Sequence, residues 1–208
     1  MDEKSLHLKI ECEYKMRGDD LGWRFLYSPV DVLKKAQVAF IGLNPGGNKK
    51  PTGHAEFATV SGSAYEHESW TGHPPGESPL QQQVLALFER VGVPPEQVLA
   101  GNLVPFRSPT WAKLKDSKKA MAFGKKIWKE VLENTKPELI ITMGRESQNA
   151  VADLLNVSSI QKVTVSWGNI AATKGKYKYG RFVGLPHLSR FGIMMRPEST
   201  SALDSLFS

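Results

Sequence analysis

Short apolar runs alternate with amphipathic stretches along most of this chain. Residues 37–43 (Gln-Val-Ala-Phe-Ile-Gly-Leu) are almost continuously apolar, as befits a strand buried on both faces of a parallel sheet. Residues 98–104, 138–143 and 181–185 repeat that character. Between the runs the period lengthens to that of helices. Leu80, Val84, Leu87, Phe88 and Val91 line one face of a helix closed by Gly92 and Pro94-Pro95. Met121, Ile127, Trp128, Val131 and Leu132 line another, with Ser117 as the expected N-cap, an end near Glu133, and Pro137 beyond it. Gly144 should open a third helix running to about Leu155. The flanks predict a helix or two ending near Lys35 and a terminal helix over 197–207, while residues 160–174 carry two short β-like runs that suggest a hairpin. This alternation predicts an α/β fold: one domain over residues 1–208, a three-layer α/β/α sandwich with a mainly parallel central sheet of about four strands.

One stretch breaks the rhythm. Residues 44–79 are polar, rich in Gly, Pro, Ser and His, and without period. A loop this long inside a compact domain is usually functional, and this one holds Phe57, Tyr65 and Trp70.

Composition narrows the picture mainly by exclusion. The chain has 208 residues, 40% hydrophobic and 23% charged, the profile of an ordinary globular protein. Its single cysteine, Cys12, rules out an internal disulfide framework, a thiolate-ligated iron–sulfur cluster and a cysteine zinc site. His54, His67 and His73 lie close together, but their spacing matches no ligand set, so neither metal nor cofactor is expected. No apolar stretch approaches the ~20 residues that span a bilayer, and Met-Asp-Glu-Lys does not open a signal peptide; the expectation is an intracellular protein with no membrane partner. The net charge of +6 tilts the partner toward a polyanion. Lys174, Lys176, Lys178 and Arg181, interleaved with Tyr177 and Tyr179, suit either a nucleic-acid grip or a lysine-protected hairpin edge. The lysines between 113 and 129 read as a solvated helix face.

Three polar residues stand at strand exits, where α/β folds keep their chemistry: Asn44 in Gly42-Leu43-Asn44-Pro45-Gly46, Asn102 in Asn102-Leu103-Val104-Pro105, and His187 in Pro186-His187-Leu188-Ser189-Arg190. An asparagine carbonyl can hold a water without taking its proton, which suits a transition state that is already cationic. A second asparagine can pair with adjacent donor and acceptor atoms on the edge of a nucleobase. A neutral histidine can donate to an oxygen that is gaining charge. Together they suit hydrolysis of an N-glycosidic bond through an oxocarbenium-like sugar.

In order and placement these segments resemble the motifs of the uracil-DNA glycosylase superfamily, nearest its single-strand-selective monofunctional and mismatch-specific branches. The resemblance covers residues 38–191. It implies that Asn44 positions the hydrolytic water and His187 stabilises charge on the leaving base. It implies that Asn102 reads the pyrimidine edge, with Gly42, Leu43, Pro45 and Gly46 lining the pocket and Phe57 stacking on the flipped base. Ser78, within the run 73–79, and Ser189 would meet the DNA backbone, and Arg190 or Phe191 would fill the gap in the duplex. Leu188 stands where many members have Pro, and the four cluster-binding cysteines of the thermophilic branches are absent. The implied activity is monofunctional excision of uracil from DNA by a monomer. Alternatives are the same scaffold acting on hypoxanthine, xanthine or 5-hydroxymethyluracil, or a non-catalytic nucleic-acid-binding module.

Overall fold

The computed structural model describes residues 2–208. Helix α1 (Glu3–Arg17) and the short α2 (Val32–Lys35) precede β1 (Val38–Gly42). The long loop carries α3 (Ala64–His67) and leads to α4 (Pro79–Arg90) and β2 (Leu99–Asn102). Then come α5 (Ser117–Thr135), β3 (Leu139–Met143), α6 (Arg145–Leu154), β4 (Ser158–Trp167), β5 (Ile170–Tyr177), β6 (Gly180–Leu185) and α7 (Thr200–Phe207).

The strands form one sheet in the order β2-β1-β3-β6-β5-β4. The first four are mutually parallel; β5 pairs antiparallel with β6, and β4 antiparallel with β5. The sheet therefore has six strands rather than about four. The hairpin does not stand apart: its second strand pairs with β6, Thr173 opposite Gly184, and so extends the parallel core.

Side-chain alternation divides the core. Ala39, Ile41, Leu99, Ile140 and Phe182 face α1, α5 and α6, packing on Leu6, Ile10, Trp128, Val131 and Val151. Val38, Phe40, Ala100, Ile141, Val183 and Leu185 face α4 and α7, packing on Val84, Leu87, Phe88, Leu203 and Leu206. This is the α/β/α arrangement. The sheet is wrapped on both faces because its central strands carry apolar side chains on both.

Two local expectations change. Helix α5 is preceded by Asp116 rather than capped by Ser117, and Asp116 adopts φ +47° without a side-chain capping bond. Between α1 and α2, residues 23–26 lie along the outer edge of β2, through isolated bridges Trp23–Phe106 and Leu26–Gly101, before the chain bends at 27–28. Backbone bonds of this segment, Tyr27 N–H to Ala100 O (2.8 Å) and Asn102 N–H to Phe25 O (2.9 Å), cover an edge that would otherwise be open.

Candidate active site

The carboxyl ends of the parallel strands lie side by side, with Gly42 opposite Asn102 and Met143 opposite Leu185. β1 and β6 flank β3, so the loops carrying Asn44 and His187 leave the sheet about 10 Å apart, two strand spacings. The floor between them is small. A Cβ built on Gly42 would lie 3.6 Å from Asn102 Oδ1 and 3.7 Å from Met143 Cε, so the missing side chain leaves the Asn102 carbonyl uncovered from that side.

Asn102 is 3% exposed and held from several directions. Its Nδ2 donates to Arg24 O and to the Tyr27 hydroxyl, both at 3.1 Å. Trp128, fully buried in α5, donates its indole N–H to the Asn102 backbone carbonyl at 2.8 Å. Because Arg24 O can only accept, the amide orientation is fixed: the nitrogen faces residues 24–27 and Oδ1 faces Gly42.

Asn44 is arranged in the same sense. Its Nδ2 donates to Ser108 Oγ (2.9 Å), Pro45 O (3.2 Å) and Phe106 O (3.3 Å). Leu103 and Val104 N–H groups donate to Gly42 O and Leu43 O at 2.8 Å, continuing the β1–β2 pairing into both exit loops. With its nitrogen committed, Asn44 offers an acceptor, Oδ1.

His187 follows β6 after Pro186. Its Nδ1 receives the Ser189 backbone N–H at 3.4 Å and lies 2.8 Å from Ser189 Oγ. A backbone N–H can only donate, and with the proton on Nε2 both Ser189 groups can donate to Nδ1, so we assign the Nε2–H tautomer. Burial, then the neighbouring Arg190, holds the imidazole below its ordinary value against a weaker pull from Glu146. Gly144, at φ +91°, packs against the ring: a Cβ there would meet His187 Cδ2 at 3.6 Å. Gly144 also opens α6, whose positive N-terminus disfavours a charged imidazole beside it. Leu188, the residue after His187, is 1% exposed in the core and anchors the loop by burial.

The remaining expected residues divide. Pro45 is buried and Gly46 exposed on the Asn44 loop. Ser189 and Arg190 are exposed beside His187. Phe191 is half-buried, its ring edge-on to Trp167 at 6.0 Å, whereas Arg190 is exposed. Phe57 does not join the strand ends. Its backbone carbonyl accepts from Leu26 N–H, and its ring stacks on His7 (5.0 Å, 17°) and Phe25 (5.9 Å) over the α1 side of the core. Ser78 is a buried cap rather than a surface contact. Its Oγ accepts from Gln81 N–H while Gln81 Oε1 accepts from Ser78 N–H, a closed capping box.

Residues outside the motifs complete the site. Arg24, 2% exposed, forms a two-pronged pair with Glu68 at 2.8 Å on each prong. Its guanidinium lies 4.7 Å over the Tyr27 ring. Glu68 also accepts from Trp70 Nε1 (2.9 Å), and Trp70 meets the Tyr27 ring edge-on at 5.6 Å. Tyr27 is thus clamped with its hydroxyl on Asn102. The available sequence signals were an arginine inside the apolar run 23–27 and a glutamate two residues before a tryptophan. A buried guanidinium requires an anion.

A comparison with curated proteins gives no match. A solved structure of a molybdopterin biosynthesis MoeA protein from Pyrococcus horikosii overlaps 82% of this chain and 36% of its own, at 15% identity. Its TM-score of 0.33 carries no argument about fold or activity, and the chain spans about a third of that protein's length. The family profile described as the uracil DNA glycosylase superfamily, by contrast, matches residues 30–203, a span that holds Asn44, Asn102 and His187. The chain belongs to the uracil DNA glycosylase superfamily, whose members are DNA glycosylases.

Proposed function

We propose that this protein is a monofunctional DNA glycosylase that hydrolyses the N-glycosidic bond of uracil in DNA, acting as a monomer. One observation carries the reading. The protein occupies the Asn44 amide nitrogen and His187 Nδ1, so the two groups present an acceptor and a donor respectively.

That pair fits a dissociative hydrolysis. As the C1′–N1 bond of the deoxynucleotide lengthens, its electron pair passes to the base and charge collects on O2. The Nε2–H of neutral His187 donates to that oxygen. A neutral donor suits the role because no proton need be transferred for the base to leave as an anion. The sugar becomes oxocarbenium-like, and a water held by Asn44 Oδ1 adds at C1′. Asn44 need not act as a strong base, since water attacking a cation acidifies as the new bond forms. No lysine lies at a motif position to form a Schiff base with the sugar, so the product is an intact abasic site.

The test uses end-labelled oligonucleotides carrying one uracil in single-stranded, U·A and U·G contexts, with hypoxanthine in parallel. Cleavage that requires hot alkali and is lost in His187→Ala supports the reading. Absence of alkali-labile product in every context refutes it.

A further inference from the structure

The hydrogen-bond inventory around Asn102 leaves one donor unused. Both Nδ2 hydrogens are consumed, by Arg24 O and by the Tyr27 hydroxyl. As placed, Asn102 cannot both donate to and accept from a base edge; only Oδ1 remains. The Tyr27 oxygen accepts from Asn102, and its own hydrogen goes to no protein group among the described residues. Tyr27 is half-buried, and its ring is held by Arg24 at 4.7 Å, Tyr65 at 5.2 Å and Trp70 at 5.6 Å. The phenol is therefore held in place, its oxygen bonded to the nitrogen end of the amide whose other end, Oδ1, is the acceptor.

We propose that the Tyr27 hydroxyl, paired with Asn102 Oδ1, is the specificity-determining donor of the base pocket, and that the pair reads a lactam edge: a ring carbonyl beside a ring N–H. The proposal rests on the glycosylase reading above and names its substrate class. Deamination creates this edge, turning an amine beside a bare ring nitrogen into a carbonyl beside an N–H. Uracil presents it as O4 and N3–H, hypoxanthine and xanthine as O6 and N1–H. Tyr27 donates to the carbonyl, and Asn102 Oδ1 accepts the ring N–H. Cytosine meets the same pair with its N3 lone pair against Oδ1. The amide cannot turn to relieve that contact, because Arg24 O holds its nitrogen. The donor half of the recognition thus comes from a residue outside the three motifs, in the segment that covers the edge of β2.

The test pairs an atom change in the base with an atom change in the protein. Wild type and Tyr27→Phe are titrated with fluorescent single-stranded oligonucleotides carrying 2′-fluoro-2′-deoxyuridine, which resists cleavage, or its 4-thio analogue, whose sulfur is a poor acceptor. Wild type is expected to bind the 4-oxo oligonucleotide about tenfold more tightly than the 4-thio one, a ratio falling to about one in Tyr27→Phe. A ratio unchanged by the substitution, or no discrimination by wild type, overturns the proposal. A merely structural role for the ring would weaken both oligonucleotides alike. Failure of the glycosylase reading appears separately, as absence of alkali-labile product from a cleavable uracil oligonucleotide.

Discussion

The substitution Glu68→Gln tests how the site is supported. Both carboxylate oxygens are engaged at 2.8 Å by the Arg24 guanidinium, and one also accepts the Trp70 indole N–H at 2.9 Å. The amide would keep the shape but turn one oxygen into an NH₂ facing a donor, and it would cancel the carboxylate that pairs with Arg24. The guanidinium, 2% exposed, would keep Leu26 O at 3.2 Å and the Tyr27 ring face. Removing one partner of a buried ion pair costs about 3–5 kcal/mol. Glu68 retains 16% side-chain exposure, so water offsets part of this and the lower figure, about 3 kcal/mol, applies. For a chain of this size that lowers Tm by about 6–12 °C. Urea unfolding at pH 7 measures the free energy directly. A loss under about 1 kcal/mol with an unchanged m-value would refute the view that this pair supports the site. A second variant separates charge from packing: Arg24→Met with Glu68→Leu buries no charge and should recover much of the lost stability.

Five further outcomes follow from the geometry. Asn44→Ala should lower kcat for excision at least ~100-fold while base binding, measured with the 2′-fluoro oligonucleotide, changes little; a small kcat effect would remove Asn44 from water positioning. Because burial depresses the His187 pKa, the acid limb of kcat/KM should lie below the ordinary value of about 6.5, with a plateau above it, and a rate rising toward low pH would contradict a neutral donor. The same depression means the unfolded chain takes up this proton first. Its contribution is fully present above about pH 6.5 and is lost as pH falls through that value, so His187→Gln should lose less stability than wild type between about pH 7 and 5. Gly124→Ala would drive a methyl from α5 into the Leu103 carbonyl oxygen, with Leu103 C at 3.0 Å; despite better helix propensity, urea unfolding should show a loss of about 1–3 kcal/mol. Gly42→Ala meets only contacts of 3.6–3.8 Å, so Tm should hold while excision slows at least ~tenfold as the methyl covers Asn102 Oδ1.

The parallel core was legible because buried strands and amphipathic helices write different periods into the chain. The exit of β1 was legible because its apolar run stops at Gly42 before an Asn-Pro-Gly turn; the exit of β2 was less so, since residues 98–104 read as one run while the strand ends at Asn102. The edge segment 23–28 was not. It makes isolated bridges rather than a continuous ladder, and Trp23, Phe25 and Leu26 all pack into one core layer, so no period-2 pattern survives. Phe57 was misplaced for a related reason. Distance along a loop does not reveal which face its backbone presents, and bonds from Phe25 and Leu26 N–H to Glu56 and Phe57 carbonyls turn that ring toward α1. Ser78 was legible only as chemistry. The Ser78-Pro79-Leu80-Gln81 spacing is a capping box, and that local use takes its hydroxyl.

The cap also belongs to the site's support. Gln81, fixed by Ser78, sends its Nε2 to the Glu68 backbone carbonyl at 2.6 Å and to Ala64 O at 3.3 Å. The N-terminus of α4 thereby holds the loop that carries Glu68. Glu68 holds Arg24, Arg24 lies over Tyr27, and Tyr27 meets Asn102. Each step consumes a polar group that would otherwise be available to solvent or substrate. The atoms with which we propose the enzyme works are those left over when this inventory is complete: Asn44 Oδ1, Asn102 Oδ1, the Tyr27 hydroxyl hydrogen and His187 Nε2–H. Two accept and two donate, and each is oriented by a protein partner before any base arrives. Catalysis that must distinguish one hydrogen-bond edge from its inverse needs that order fixed in advance, because a rotatable amide would serve uracil and cytosine alike.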